Sequence, residues 1–130
     1  MKYFIFSSFL FLSSFISSEA KVYFINLNDG DQVQSPFLVQ FGLSGKGIAP
    51  AGTDRENTGH HHLLIDVDKI DFKQSIPSSP NHIHFGGGQT ESLVELLPGN
   101  YSMQLVLGDM THTPHDPPII SEKINITVID

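Results

Sequence analysis

Cysteine and tryptophan are both absent from the chain. Without cysteine no disulfide can staple the fold, and no thiolate is on hand as nucleophile or metal ligand. Basic residues are scarce: 7 Lys and Arg stand against 14 Asp and Glu, for a net charge of -7 with histidine neutral. Such an acidic surface repels phosphate backbones and anionic lipids, which argues against nucleic acid as a partner and favours cations. Long apolar runs are missing too. The longest, Tyr3 to Ile16, is 14 residues diluted by four serines, short of the roughly 20 that a spanning helix needs.

That run has the layout of an export signal. Lys2 supplies the positive charge, the apolar stretch follows, and Ser18 and Ala20 meet the small-x-small rule for cleavage after Ala20. Residues 1–20 are therefore expected to be a cleaved signal peptide. Residues 21–130 would form one domain of about 110 residues, enough for one core. The expected address is periplasmic, with no membrane span after cleavage. Lys2 and Glu19 cancel, so the mature charge stays at -7.

Sustained helical periodicity is lacking beyond Ala20. Short runs rich in β-branched and aromatic residues recur instead, at Val22–Leu27, Phe37–Leu43, His61–Val67, His82–Phe85, Glu91–Leu97, Tyr101–Leu107 and Ile119–Ile129. Gly, Pro, Asn and Asp separate them, as between strands. The fold expected is all-β, an immunoglobulin-like β-sandwich of about seven strands. Within His61–Val67, Leu63-Leu64-Ile65 reads as buried on both faces. Tyr101, just after the turn at Pro98-Gly99-Asn100, sits where immunoglobulin-like domains place a tyrosine corner, whose hydroxyl bonds back to the chain.

Histidine is what the sequence has in place of cysteine. All 7 lie between residues 60 and 115, as His60-His61-His62, His82-x-His84 and His112-x-x-His115. Side chains two apart on a strand share a face, about 7 Å from one another. His60 and His62 thus form one pair and His82 and His84 another, while His61 points with Leu63 and Ile65. Pro114 stiffens the third segment, and Asp109 and Met110 precede it. Imidazole and carboxylate donors suit Cu(II) and Zn(II). The candidate ligands are His60, His62, His82, His84, His112 and His115, with Asp66 and Asp109 as candidates to orient the rings from behind. A strand histidine is more often a surface group or a hydrogen-bonded core residue; it is the clustering that favours a metal.

Other chemistries fit less well. Gly86-Gly87-Gly88 lacks the lysine and the helix of a phosphate-binding loop, and reads as a turn or a close backbone approach. No nucleophile triad can be assembled, so no catalytic residue is expected and the chain leans away from enzymes.

The strings His60-His61-His62-Leu63-Leu64-Ile65-Asp66, His84-Phe85-Gly86-Gly87-Gly88-Gln89-Thr90-Glu91, Leu97-Pro98-Gly99, and Gly108-Asp109-x-x-His112-x-Pro114-His115-x-Pro117-Pro118 resemble the domain-of-unknown-function family numbered 4399. The likeness runs from about Val22 to Val128. It implies a bacterial exported protein and no particular activity. His82-Ile83-His84 also resembles the His-Val-His strand of copper-zinc superoxide dismutases, without their disulfide or zinc-loop pattern.

The expected function is therefore a periplasmic metal-binding protein holding copper, or zinc, for binding, delivery or buffering. A metal ion is the expected partner, with a periplasmic protein as the second. Two other classes compete. One is a structural or interaction module with its histidines in hydrogen-bond networks, and the other is a small metalloenzyme of dismutase type with an open coordination position.

Overall fold

The computed structural model describes residues 19–130, so all but the last two residues of the expected signal lie outside the described part. Among the described residues there is no helix, and hence none long and apolar enough to cross a membrane. Nine strands run in chain order: β1 Lys21–Phe24, β2 Gln32–Gln34, β3 Phe37–Ser44, β4 Gly47–Ile48, β5 Thr58–Ile65, β6 His82–His84, β7 Glu91–Val94, β8 Gly99–Gly108 and β9 Ile124–Ile129.

They form two sheets. The smaller has the order β1-β3-β7 and is antiparallel throughout. The larger has the order β2-β9-β8-β5-β4, with β6 also paired to β5. Alternation in the sequence accounts for the core between them. On β3, Phe37, Val39 and Phe41 turn inward, and on β9 Ile124, Ile126 and Val128 do the same. They pack with Val22, Leu63, Leu105 and Leu107 in one apolar cluster. The fold is thus an all-β sandwich, as the sequence indicates.

All seven expected strand regions contain a strand. The two additional strands, β2 and β4, are three and two residues long and pair in parallel with β9 and β5. Strands this short carry too little alternation to be read from sequence. β5 also begins three residues earlier than expected, at Thr58, so His60 lies inside it. The tyrosine corner is present: the Tyr101 hydroxyl donates to the Leu97 carbonyl at 2.8 Å.

What positions the histidines is the outer face of the larger sheet. Leu64 is buried there with Val106 of β8 and Ile76, a residue of the loop that follows β5. Leu63 and Ile65 are buried on the inner face. β5 is therefore covered on both sides, which is why Leu63-Leu64-Ile65 shows no polar alternation. The histidines stand next to Leu64 on that covered outer face.

Candidate metal centre

Strand register builds the site as a small grid. β5 is flanked by β6 on one side and β8 on the other. In one row His84 and Val106 flank His62; in the next His82 and Gln104 flank Leu64. In the row above, Gly108 lies opposite His60. One further step of the β5–β6 register brings Gly86 to its other side, and the bond from Phe85 N–H to the His61 carbonyl at 3.1 Å continues that pairing.

These two glycines let the rings lean together. A Cβ on Gly108 would come within 2.7 Å of His62 Nε2, and a Cβ on Gly86 would collide with the His84 ring. Each ring thus occupies the space that a side chain beside His60 would take. The result is convergence on one point. His60 Nε2 lies 3.0 Å from His62 Nε2 and 3.1 Å from His84 Nε2. The three residues form a group whose ligand atoms all lie within 4.8 Å of one another. Nitrogens bound to an ion at about 2.0–2.1 Å sit roughly 2.9–3.4 Å apart, from square to tetrahedral angles. The two spacings from His60 Nε2 fit a shared ion.

His112 joins them from above. Its ring centroid is 4.4 Å from that of His84, 5.1 Å from His60 and 5.9 Å from His62, nearly edge-on to the last two. It stands outside the three-nitrogen group. Asp109 shapes the loop that presents it: one carboxylate oxygen accepts the Thr111 and Thr113 amides and the Thr111 hydroxyl. Burial would raise the Asp109 pKa, but these hydrogen bonds hold it below the usual value. His112 itself has φ of 66°, in the left-handed region that non-glycine residues seldom adopt. The segment ahead of β6 ties down the same loop, because Ile76 N–H donates to the His112 carbonyl at 2.8 Å and the Ser75 hydroxyl to the Thr111 carbonyl at 3.0 Å.

Of the six candidate ligands, the structure brings together His60, His62, His84 and His112 and leaves two apart. His82 shares a face with His84 but lies opposite Leu64, and its Nδ1 is 2.8 Å from the Ser79 hydroxyl. His115 packs against Gly59, where a Cβ would be 2.8 Å from its Nε2. Residue 59 points to the face opposite His60, so the chain between His112 and His115 passes from one side of β5 to the other. Asp66 is engaged in the turn after β5, accepting the Ser102 amide at 2.7 Å. Asp109 acts through the loop rather than through a bond to a ring. Gly108 is the supporting position that spacing alone missed; Gly86 lies in the run read as a close backbone approach.

Burial governs protonation. His60 and His62 are 0% and 1% exposed. Desolvation, then the neighbouring imidazoles, lowers His60 to about 4 and His62 to about 3. His84 is lowered by the same causes. Neutral rings are the form that binds metal. The buried Nδ1 atoms of His60 and His62 have no partner among the described residues.

His61, on the inner face, is fully buried, with its ring 5.2 Å from that of Phe41 and neither nitrogen partnered among the described residues. Desolvation lowers its pKa to about 4. The unfolded chain takes up this proton near 6.5 and the folded chain only near 4, so the unfolded state binds more protons between those values. Stability is therefore complete above pH 6.5 and is lost as pH falls toward 4, by roughly 3 kcal/mol from this residue alone. Urea unfolding of the metal-free protein at pH 7 and pH 4.5 measures it, and His61→Leu is expected to flatten the part of the difference that His61 contributes, the parts from the other buried histidines remaining. Equal flattening by His82→Ala would assign the effect elsewhere.

An all-β sandwich with a histidine cluster on the covered outer face of its larger sheet is the class that fold and site define. Residues 39–129 match the model of the family described as Domain of unknown function (DUF4399), and the chain belongs to that family. The matched span contains all seven histidines, and also Gly86 and Gly108. No curated protein and no solved structure matches the chain.

Proposed function

We propose that this protein is a periplasmic metal-binding module that holds copper, with zinc as the second candidate, for binding, delivery or buffering. One observation carries the reading: the Nε2 atoms of His62 and His84 both lie about 3 Å from the Nε2 of His60. A neutral imidazole nitrogen has either one proton to give or one lone pair to share. Three such nitrogens crowded at one point cannot all make good hydrogen bonds to one another. A single cation satisfies all three lone pairs together.

An interaction module with structural histidines would instead turn its rings to carbonyls or hydroxyls, as His82 does toward Ser79. The preference for copper comes from an all-imidazole donor set without thiolate and from the greater affinity of Cu(II) than Zn(II) for such sites. The -7 net charge draws cations toward the domain.

Calorimetric titration of the intact mature protein with Cu(II) and Zn(II) tests the reading. One tight equivalent is expected, with copper held more strongly, and binding no tighter than millimolar for either ion would overturn it. The periplasmic address rests on residues 1–20 and is tested by N-terminal sequencing of protein from a periplasmic extract, where Lys21 is the expected first residue.

A further inference from the structure

We infer that the ion held by His60, His62 and His84 keeps one coordination position open, and that this position faces a cleft admitting water or a small anion. The inference rests on the metal reading above and goes beyond it, because a storage site closed by protein ligands has no such position.

The geometry of the rings carries it. His60 and His62 rise from β5 and His84 from β6, so all three ligands come from the floor of the site. An ion capping the three nitrogens directs its remaining bond away from the sheet. His112 stands on that side, yet its ring lies outside the three-nitrogen group and meets His60 and His62 at 82° and 83°, edge-on. Its nitrogens are not part of the converging group, which leaves the remaining position to a ligand beyond the three. Three protein ligands with a fourth position left to solvent or substrate is the pattern of reactive metal sites, whereas purely structural sites complete the tetrahedron with protein atoms.

A passage opens beside two of the three rings, those of His62 and His84. A cleft of about 180 Å³ is lined by His62, His84 and His112 on one side and by residues 75–78 on the other. At its base His62 is buried, while His84 and His112 at its mouth are partly exposed. Pockets for drug-sized ligands run from about 300 Å³ upward, and one water takes up about 30 Å³ of liquid. The cleft therefore has room for a water or a small anion beside the rings. Hydrogen bonds from Ser75 and Ile76 to the His112 loop hold both walls in place, so the passage is built into the fold.

Azide is the probe, because it binds open Cu(II) positions and gives a charge-transfer absorption. The mature protein loaded with one equivalent of Cu(II) is titrated with azide, in parallel with a His112→Ala variant. A saturable charge-transfer band in the wild-type protein, with copper still bound afterwards, is the expected result. Bound copper with no band in the wild-type protein overturns the inference. If the band then appears in His112→Ala, His112 is a fourth ligand that closes the site. Failure of the wild-type protein to take up copper at all is a separate outcome, and it removes the metal reading along with this one.

Discussion

His60→Ala is expected to weaken Cu(II) binding by at least about a hundredfold, since loss of even a residue behind a ligand costs about 10–100-fold. His60 has this weight because it is the common vertex: its Nε2 is the atom near which both other nitrogens lie. Without it, His62 and His84 remain as a two-imidazole pair with a hole between them. The loss is readable in stability as well. A ligand at about 100 times its dissociation constant stabilises the native state by about 2.7 kcal/mol. At the same copper concentration the variant should show almost none of that gain. His82→Ala and His115→Ala are the matched comparisons. Both residues come from the same histidine-dense segments, but one is held by Ser79 and the other lies against Gly59, so each should change copper affinity by less than about threefold. Equal losses in all three variants would mean that copper is bound by histidine content and not by this geometry.

Gly86→Ala carries the second large effect, and it separates metal binding from folding. The three atoms nearest the added methyl group all belong to the ring of His84, including a 2.7 Å approach to Nε2. That ring is the far end of a partly exposed side chain and can swing outward with little strain. The backbone of Gly86 is not in the left-handed region, so alanine is tolerated there. Stability of the metal-free protein should change by less than about 1 kcal/mol, as for surface changes that create no cavity or buried charge. Copper affinity should fall about 10–100-fold, because His84 Nε2 can no longer reach the point that His60 and His62 define. Gly108→Ala makes the same intrusion on His62, but that ring is buried and cannot swing away, so a loss of stability should accompany the loss of affinity. Calorimetry and urea unfolding of the two variants, side by side, measure both quantities. An unchanged copper affinity in Gly86→Ala would show that ring convergence is not what binds the ion.

Much of this arrangement was legible in the chain because strand alternation is strict. His60 and His62 had to share a face, and His61 had to oppose them, once β5 was recognised as a strand. The apolar pairs of β3 and β9 were readable for the same reason, and Tyr101 from its place just after the turn at Pro98-Gly99-Asn100. The histidine pairs of the other two segments were less so, since a pair on one face need not meet at one point. His82 and His84 do share a face, but the register of β6 against β5 sets His84 beside His62 and His82 beside Leu64. That register depends on pairing across 20 residues of chain, which local patterning does not encode. His112 and His115 part company because the loop crosses from one side of β5 to the other. Gly86 was legible as a close backbone approach from its glycine run. The chain alone gave no hint that the approaching group is a histidine ring, nor that Gly108 mirrors it across His60.

The central claim is that three imidazoles of one sheet face share an ion. Crystals of the mature protein grown with one equivalent of Cu(II), measured on both sides of the copper absorption edge, test it most directly. The expected result is one anomalous peak about 2 Å from the Nε2 atoms of His60, His62 and His84. A peak at His82 or His115, or no ordered peak despite stoichiometric copper in solution, would contradict it.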